Sequence, residues 1–508
     1  MDSLTKELTA VWRKLGRMLA SGVPLLRSLY TIIKETASDQ VRNALVDICA
    51  HIEKGHTFHE AVRRHPGMFP PSVVTLVQSG EMSGTLERSA MAIADGLADG
   101  SLAVGVAPAS PVEADAEKGG EPDGTDVVQL ATRIIAHAID SRATDIHIST
   151  LSDKPRIRVR VDGVLTDRDV PVVEPGVFQA VVSRIKMMSG MAPSDTQKMQ
   201  DGRIMLSLKG VQYDLRVNCT PCASGESVVL RILQRNLRVA TLDEMQFSEG
   251  VLAKLRAWMA KPNGIVVVCG PTGCGKTTTL YSVLQELNVP GVKVMSVEDP
   301  VEHRIDGVDQ VQVRPSAGIT FASALRSILR QDPDIILVGE IRDIETAEVS
   351  IQAALTGHLV LTTLHTDDAP SAVCRMVDVG LPPYLVNGTL VGVLAQRLVR
   401  KVCQKCKEEY TPDEAILKVM RAQYPHIAKF MRGKGCEACL GNGFRGRTAI
   451  NEVFELNGEL RAVVSRSPTT DELYAHAVRC GMRTLQQDGM DKAAKGVTTV
   501  EEVLRVCM

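Results

Sequence analysis

Aromatic residues make up only 3% of this 508-residue chain, and its formal net charge is −2. The first scarcity argues against a base-stacking platform for single-stranded nucleic acid, and the second against a basic field that draws nucleic acid or anionic lipid. Long apolar runs are scarce too. No uninterrupted stretch is long enough to span a bilayer, and no secretory leader is visible. The expectation is a soluble, cytoplasmic protein with no nucleic-acid partner. Twelve cysteines in such a chain point to metal or reduced thiols rather than a disulfide framework.

What the chain does have is a phosphate loop. Gly270, Pro271, Thr272, Gly273, Cys274, Gly275, Lys276 and Thr277 follow an apolar run and precede a helix-favouring stretch that opens with Thr278. Glycines at this spacing let backbone N–H groups curl around a triphosphate, and the helix N-terminus adds its positive dipole. Lys276 is placed to neutralise the β- and γ-phosphates of ATP, and the Thr277 hydroxyl to hold Mg²⁺. The alternative, a merely structural glycine-rich turn, does not account for the strand–loop–helix setting.

The length predicts a multidomain protein. Residues 1–100 carry helix-period apolar positions, divided at Ser21–Gly22–Val23–Pro24, with a capping box at Thr57 and Glu60 and further breaks at Pro66 and Pro70. That predicts a small α-helical bundle. Residues 101–125 are rich in Ala, Pro, Gly and acidic side chains and read as a flexible linker, with a reach of roughly 25–30 Å. Residues 126–240 predict an α/β domain: a helix over 127–141, strands near 145–149, 156–161 and 164–170 joined by an Asp162–Gly163 hairpin, then a helix near 178–189. Residues 241–400 alternate strand and helix as in a parallel-sheet nucleotide-binding domain, with short apolar runs near Ile265, Ile335 and Leu359 as buried strands. A cysteine-bearing segment at 401–445 and a mainly helical one at 446–508 complete the chain.

Two further segments belong with the loop. Residues 294–303 end an apolar strand in Glu298, Asp299 and Glu302, and residues 332–343 end another at Gly339–Glu340. In open parallel sheets ligands sit beyond the carboxyl ends of the strands. Glu340 is therefore the candidate for orienting the attacking water. Because Gly339 stands where a metal-assisting Asp is usual, Glu298 or Glu302 is expected to support Mg²⁺ through water. Capping a helix or pairing with an arginine is the competing role for each acid. His358 and His365 flank an apolar strand and are either core residues or γ-phosphate sensors.

Cys403 and Cys406, with Cys436 and Cys439, form two C-x-x-C knuckles at a spacing suited to a closed, structural Zn²⁺ site, with a helical excursion between them. Cys219 and Cys222 have no matching pair and read as a turn with incidental thiols, a redox role being the alternative.

In this order the blocks GPTGCGKTTTLY, SVEDPVEH, DPDIILVGEIRD, TGHLVLTTLHTDDA and AQRLVRKVCQKC resemble the secretion ATPase superfamily that powers type II secretion and type IV pilus assembly. The resemblance implies a RecA-like ATPase domain with zinc-knuckle and helical subdomains, a preceding PAS-like α/β domain, a homo-hexameric ring, and peripheral attachment to an inner-membrane platform. It also implies that Arg203 and Arg216 contribute to the nucleotide site. The zinc element is similar to that of assembly and secretion motors rather than retraction motors. Cys274 stands where the family commonly has Ser, which suggests oxidant sensitivity, and Asp367 where it commonly has Asn.

Residues 11–98 depart from the family's usual start. They resemble one cytoplasmic repeat of the polytopic platform protein, without its transmembrane segments, and imply a docking role. The rival functions are a nucleotide-responsive scaffold with little hydrolysis and a nucleic-acid translocase. Cargo, and the choice between secretion and pilus assembly, are left open.

Overall fold

The computed structural model describes residues 3–36, 38–53, 56–83, 85–99, 127–151, 154–167, 170–234, 238–425, 427 and 429–507. The expected linker at 101–125 lies outside them. The chain divides into two compact units, Met1–Glu121 and Pro122–Met508. Among the described residues, no helix is long and apolar enough to cross a membrane.

The first unit is helical: Ser3–Ala20, Leu25–Glu35, Asp39–Glu53, Phe58–Arg63, Pro71–Ser83 and Leu86–Asp99. The first two helices part at the predicted Gly–Pro break, with Gly22 at φ +78° and Pro24 as N-cap. The apolar stripes converge on Leu8, Trp12, Leu15, Leu29, Ile32, Ile48 and Ile93, each no more than 2% exposed. Burying a side chain of this size is worth roughly 1.5–3 kcal/mol, so the stripe sets the fold. Trp12 packs edge-on to Phe69 with ring centroids 5.9 Å apart. Glu60 accepts the Thr57 N–H at 3.0 Å, closing the expected capping box. A second carboxylate anchors the same helix: Glu81 accepts the Phe58 and His59 N–H groups at 2.6 and 2.9 Å. An anion suits that end, where the helix dipole is positive.

The second unit holds two large sheets. The first comprises β1 Ala143–Leu151, β2 Lys154–Val161, β3 Val164–Thr166, β4 Gln200–Leu208, β5 Val211–Cys222 and β6 Gly225–Gln234, ordered β3-β2-β1-β6-β5-β4 and antiparallel throughout. Alternate residues Ile146, Ile148, Ile157, Val159, Leu215, Val217, Val228 and Leu230 share a core with the helices Val127–Asp140 and Pro175–Met188. The Asp162–Gly163 turn takes φ +49° and +86°, the signature of a two-residue hairpin. The strand expected at 164–170 ends at Thr166, and the next carboxylate, Asp167, pairs instead with Arg156 at 3.1 Å.

The second sheet is β7 Gly264–Cys269, β8 Val294–Glu298, β9 Val308–Gln312, β10 Ile335–Val338, β11 Leu359–Leu364, β12 Leu390–Val402 and, after the short pair β13 Lys407–Tyr410 and β14 Phe430–Gly433, β15 Phe444–Phe454. Its order is β15-β12-β7-β11-β10-β8-β9, parallel except for β15. Every residue of β7, β8, β10 and β11 is buried. The two faces feed different cores: Ile265, Val267 and Ile336 pack to one side, Val266, Val268 and Leu337 to the other. Central strands of this kind carry charged groups only at their ends. The helices Gly458–Val464, Thr470–Arg479, Leu485–Ala494 and Val500–Cys507 close the chain.

Candidate active site

The loop leaves the carboxyl end of β7 and turns directly into the helix Lys276–Leu287. Gly270 and Gly275 adopt φ +143° and +91°, in the region that only glycine enters freely. A Cβ on Gly270 would lie 2.4 Å from the Gln396 carbonyl oxygen, and one on Gly275 2.8 Å from Gln396 Nε2. Gln396, 1% exposed on neighbouring β12, is the brace: its Nε2 donates to the Cys274 carbonyl at 2.7 Å, and its Oε1 accepts Thr279 Oγ1–H at 2.8 Å. It belongs to the AQRL block, but nothing in the spacing marks it as a support for a loop 122 residues away.

Lys276 is buried, its Nζ donating to the Gly270 and Pro271 carbonyls at 2.7 and 3.1 Å. Burial lowers its pKa, so the ammonium is held in a site where phosphate oxygens are a better partner than hydrocarbon. Thr277 is exposed at the start of the helix, where its hydroxyl is free to take a metal ligand position.

His365 follows β11 and links the lysine to the acid. Its Nδ1 lies 3.5 Å from Lys276 Nζ and its Nε2 3.4 Å from the Glu340 carboxylate. An ammonium can only donate, so the fitting tautomer accepts at Nδ1 and donates from Nε2. Burial and then the nearby Lys276 charge lower the His365 pKa, which keeps the ring neutral at pH 7. Glu340 is 9% exposed beyond β10 and also takes Arg342 at 2.6 Å, which raises the arginine pKa.

His358 is elsewhere. It precedes β11, its Nδ1 bonded to the Ala353 carbonyl at 2.8 Å. A six-residue strand, about 20 Å long at strand rise, separates it from His365. Of the two roles open to these histidines, His358 takes the structural one within this chain, because the strand holds it at the end opposite His365.

Glu298, 4% exposed at the end of β8, accepts Ser296 Oγ–H at 2.6 Å, Gln310 Nε2–H at 3.1 Å and the Tyr281 hydroxyl. Three neutral donors hold it in a buried network beside Glu340, with which it shares neighbouring strand ends. Asp299 and Glu302 are exposed. Asp343 is a helix cap, accepting the Thr346 N–H at 2.8 Å.

Arg203 and Arg216 face each other on β4 and β5, in a register that continues to Arg231, Asp145 and Arg160. Directly paired residues share a face, so these form one charged row on the side opposite the apolar core. Arg203 is held by Asp214. Neither arginine touches the phosphate loop among the described residues. What the six-stranded sheet brings to the loop is its other edge: the Asp162–Gly163 turn lines a 270 Å³ cavity with Pro271–Cys274, Arg397, Arg447 and Arg505. The Asp162 carboxylate there accepts the Gly446 N–H at 2.8 Å.

The four knuckle cysteines converge, all four sulfurs lying within 4.8 Å of one another. The contacts Cys403–Cys436, Cys406–Cys439 and Cys436–Cys439 measure 3.9, 3.8 and 3.7 Å. A tetrahedron of Zn–S bonds of about 2.3 Å requires sulfurs about 3.8 Å apart, so the cluster fits zinc. The Gly435 and Cys436 N–H groups point at Cys406 and Cys439 sulfurs at 3.3 and 3.1 Å, as suits thiolates. Cys219 is instead buried and donates to Glu226 at 3.1 Å; burial first, then Glu226, raises its pKa to about 12, which leaves it an inert structural thiol.

The family model described as type II/IV secretion system protein matches residues 121–505. The chain belongs to that family. Residues 12–100 match the model for type II secretion system protein F. Over 382 residues the chain is 46% identical to the type II secretion system protein E of Xanthomonas campestris pv. campestris, a match covering 75% of this chain and 67% of that protein. It is 41% identical over 386 residues to the type IV pilus assembly ATPase PilB of Thermus thermophilus, covering 76% of this chain but 43% of that one. Among solved structures, the Legionella pneumophila ATPase DotB shares the fold with a TM-score of 0.56 at 23% identity, over 76% of this chain and 97% of that one.

Proposed function

We propose that this chain is the ATP-hydrolysing motor of a type II secretion or type IV pilus assembly system, working in the cytoplasm at the inner membrane as a homo-hexamer. The observation that carries the reading is the linked set Lys276–His365–Glu340 at the carboxyl ends of β7, β11 and β10, set against a braced phosphate loop. Residues 270–278 bind ATP, and Lys276 exchanges its two loop carbonyls for β- and γ-phosphate oxygens. Thr277 holds Mg²⁺, which offsets phosphate charge. Glu340 orients the attacking water and takes up its proton, while neutral His365 reports phosphate position to that carboxylate. Glu298 supports the metal's water shell from its network.

Arg203 and Arg216 complete the site when the six-stranded domain of this chain or a neighbour shifts toward it. Zn²⁺ on Cys403, Cys406, Cys436 and Cys439 fixes the segment after β12. The N-terminal unit, matching platform protein F, docks the motor on that platform. The working boundaries are 1–100, 101–125, 126–240, 241–400, 401–445 and 446–508.

The test is ATP turnover per subunit against concentration for zinc-loaded protein. A rise with concentration is expected if assembly brings in the arginines. Negligible turnover at every concentration, with or without platform membranes, would overturn the motor reading.

A further inference from the structure

A concavity of the second unit lies away from the phosphate loop. It encloses about 620 Å³ between the first knuckle, the start of β15, the helix Leu485–Ala494 and the N-terminus of the helix Glu249–Met259. That is the size of a small-molecule site. Its charge is one-sided: six cationic side chains line it against two carboxylates. Both carboxylates are engaged. Asp488 accepts the Asn451 N–H at 2.9 Å and lies 3.7 Å from Lys492, while Asp491 pairs with Arg483 at 2.5 Å. Lys492 is the one buried cation and is satisfied by backbone carbonyls, including Gln246 at 3.3 Å.

The other five, Lys401, Lys405, Lys407, Arg445 and Lys495, have no carboxylate partner among the described residues. They come from three separate stretches of backbone, 401–407, 445 and 495, and Lys407 leans in until its Nζ would meet a Cβ on Gly496 at 2.7 Å. In a chain of net charge −2, five convergent cations without a carboxylate partner are a local reversal of sign, offset only in part by the net negative charge of a zinc tetrathiolate at the adjoining knuckle. Like charges so gathered repel unless an anion joins them. Ser248, the N-cap of the helix Glu249–Met259, also lines the space, and Phe247 supplies an apolar wall.

We infer that this cavity binds a small ligand bearing several phosphate groups, at a second anion site separate from the phosphate loop. Lysine ammonium groups suit phosphate as point charges, and a concave wall suits a compact ligand better than an extended acidic peptide. The inference does not depend on the ATPase reading.

The test uses the full chain carrying Lys276→Ala, which weakens phosphate binding at the loop. Inorganic tripolyphosphate is titrated calorimetrically, and phosphatidylglycerol vesicles are compared with phosphatidylcholine vesicles by flotation. Binding of one tripolyphosphate per chain, weakened about tenfold or more by adding Lys405→Gln and Lys495→Gln and by raising salt, is the expected result. Binding to phosphatidylglycerol vesicles alone, with the same sensitivity to the two lysines, supports the site and assigns its phosphate to a lipid headgroup. No binding of either probe, or binding that the lysine changes leave intact, overturns it. Both lysines are exposed, so the variant is expected to fold, and unchanged ATP turnover on the Lys276 background of the native chain checks that.

Discussion

In the seven-stranded sheet, the central strands are buried on both faces and charge appears only where they end, so Lys276, Glu340 and His365 are gathered at one rim. In the six-stranded sheet, one face is apolar and the other carries a row running from Arg203 through Arg216 and Arg231 to Asp145 and Arg160. The first arrangement fixes its charges by backbone geometry, and little movement is needed for chemistry. The second spreads its charges over an open face and ties them to local partners such as Asp214. The rim is therefore preassembled, while the arginine row, on the function proposed above, reaches it only through motion or a neighbouring chain.

The rim is where substitutions should act hardest. Lys276→Ala is expected to lower ATP turnover by about 10³-fold or more and to weaken nucleotide binding, because the loop loses its one buried cation. Glu340→Gln should cost about 10²–10³ in kcat while leaving nucleotide affinity near that of the native chain. Steady-state turnover with parallel calorimetry separates the two. An unaltered kcat for Glu340→Gln would move the water-orienting role off the rim.

The same contrast holds for ion pairs. Glu502 is 2% exposed and bridges Arg400 and Arg505, Arg400 being on β12 and Arg505 beside the loop cavity. Although burial opposes its charge, hydrogen bonds from Arg505 and Arg400 win and lower its pKa from 4.5 to about 2. A depressed carboxylate contributes stability above its unfolded pKa and loses it as pH falls through the folded one, here between about 4.5 and 2. Glu502→Gln should therefore destabilise the second unit by about 3 kcal/mol at neutral pH and flatten its acid unfolding in that window. Thermal melts at stepped pH read this directly. Asp214→Asn, on the open sheet, should change stability much less, since Arg203 is half exposed.

The difference between the sheets also decides what the sequence makes legible. Residues 270–277, the C-x-x-C pairs and the carboxylates after apolar runs are local patterns, and their spacing alone implies the chemistry. Gln396, Asp162, Arg397 and Arg447 are not local. They reach the loop only because β12 lies beside β7, because β15 pairs with β12, and because a hairpin meets a residue 284 positions away. His358 misleads for the complementary reason. It is close to His365 in sequence, but an intervening strand carries it to the far rim. Motif proximity along a strand is a poor guide to proximity in space.

The arginine row gives a smaller test. Arg203→Gln and Arg216→Gln should each lower kcat about tenfold at saturating ATP, with a steeper dependence on protein concentration than the native chain. No change in either would make the row an ordinary charged sheet surface and leave the rim complete by itself. Removing the hairpin contact with Asp162→Ala should shift the balance the other way. It frees the six-stranded domain from Gly446, so turnover at low protein concentration should rise by about two- to threefold if that contact restrains the delivery of the arginines.

The smallest expected effect falls on Cys274, where burial weighs against the oxidant sensitivity suggested by sequence. The thiol sits inside the loop at 4% exposure, packed against Gly270 and bracketed by Gln396, and burial raises its pKa despite the Lys276 charge nearby. Oxidants attack accessible thiolates, and this position offers neither access nor thiolate. Cys274→Ser should therefore change turnover by less than about twofold, and brief peroxide treatment should act equally on both proteins. If peroxide silenced the native chain and spared the serine variant, the loop would have to open far enough to expose its floor. The rim would then share the mobility assigned here to the six-stranded sheet, and the contrast between the two halves of the site would narrow.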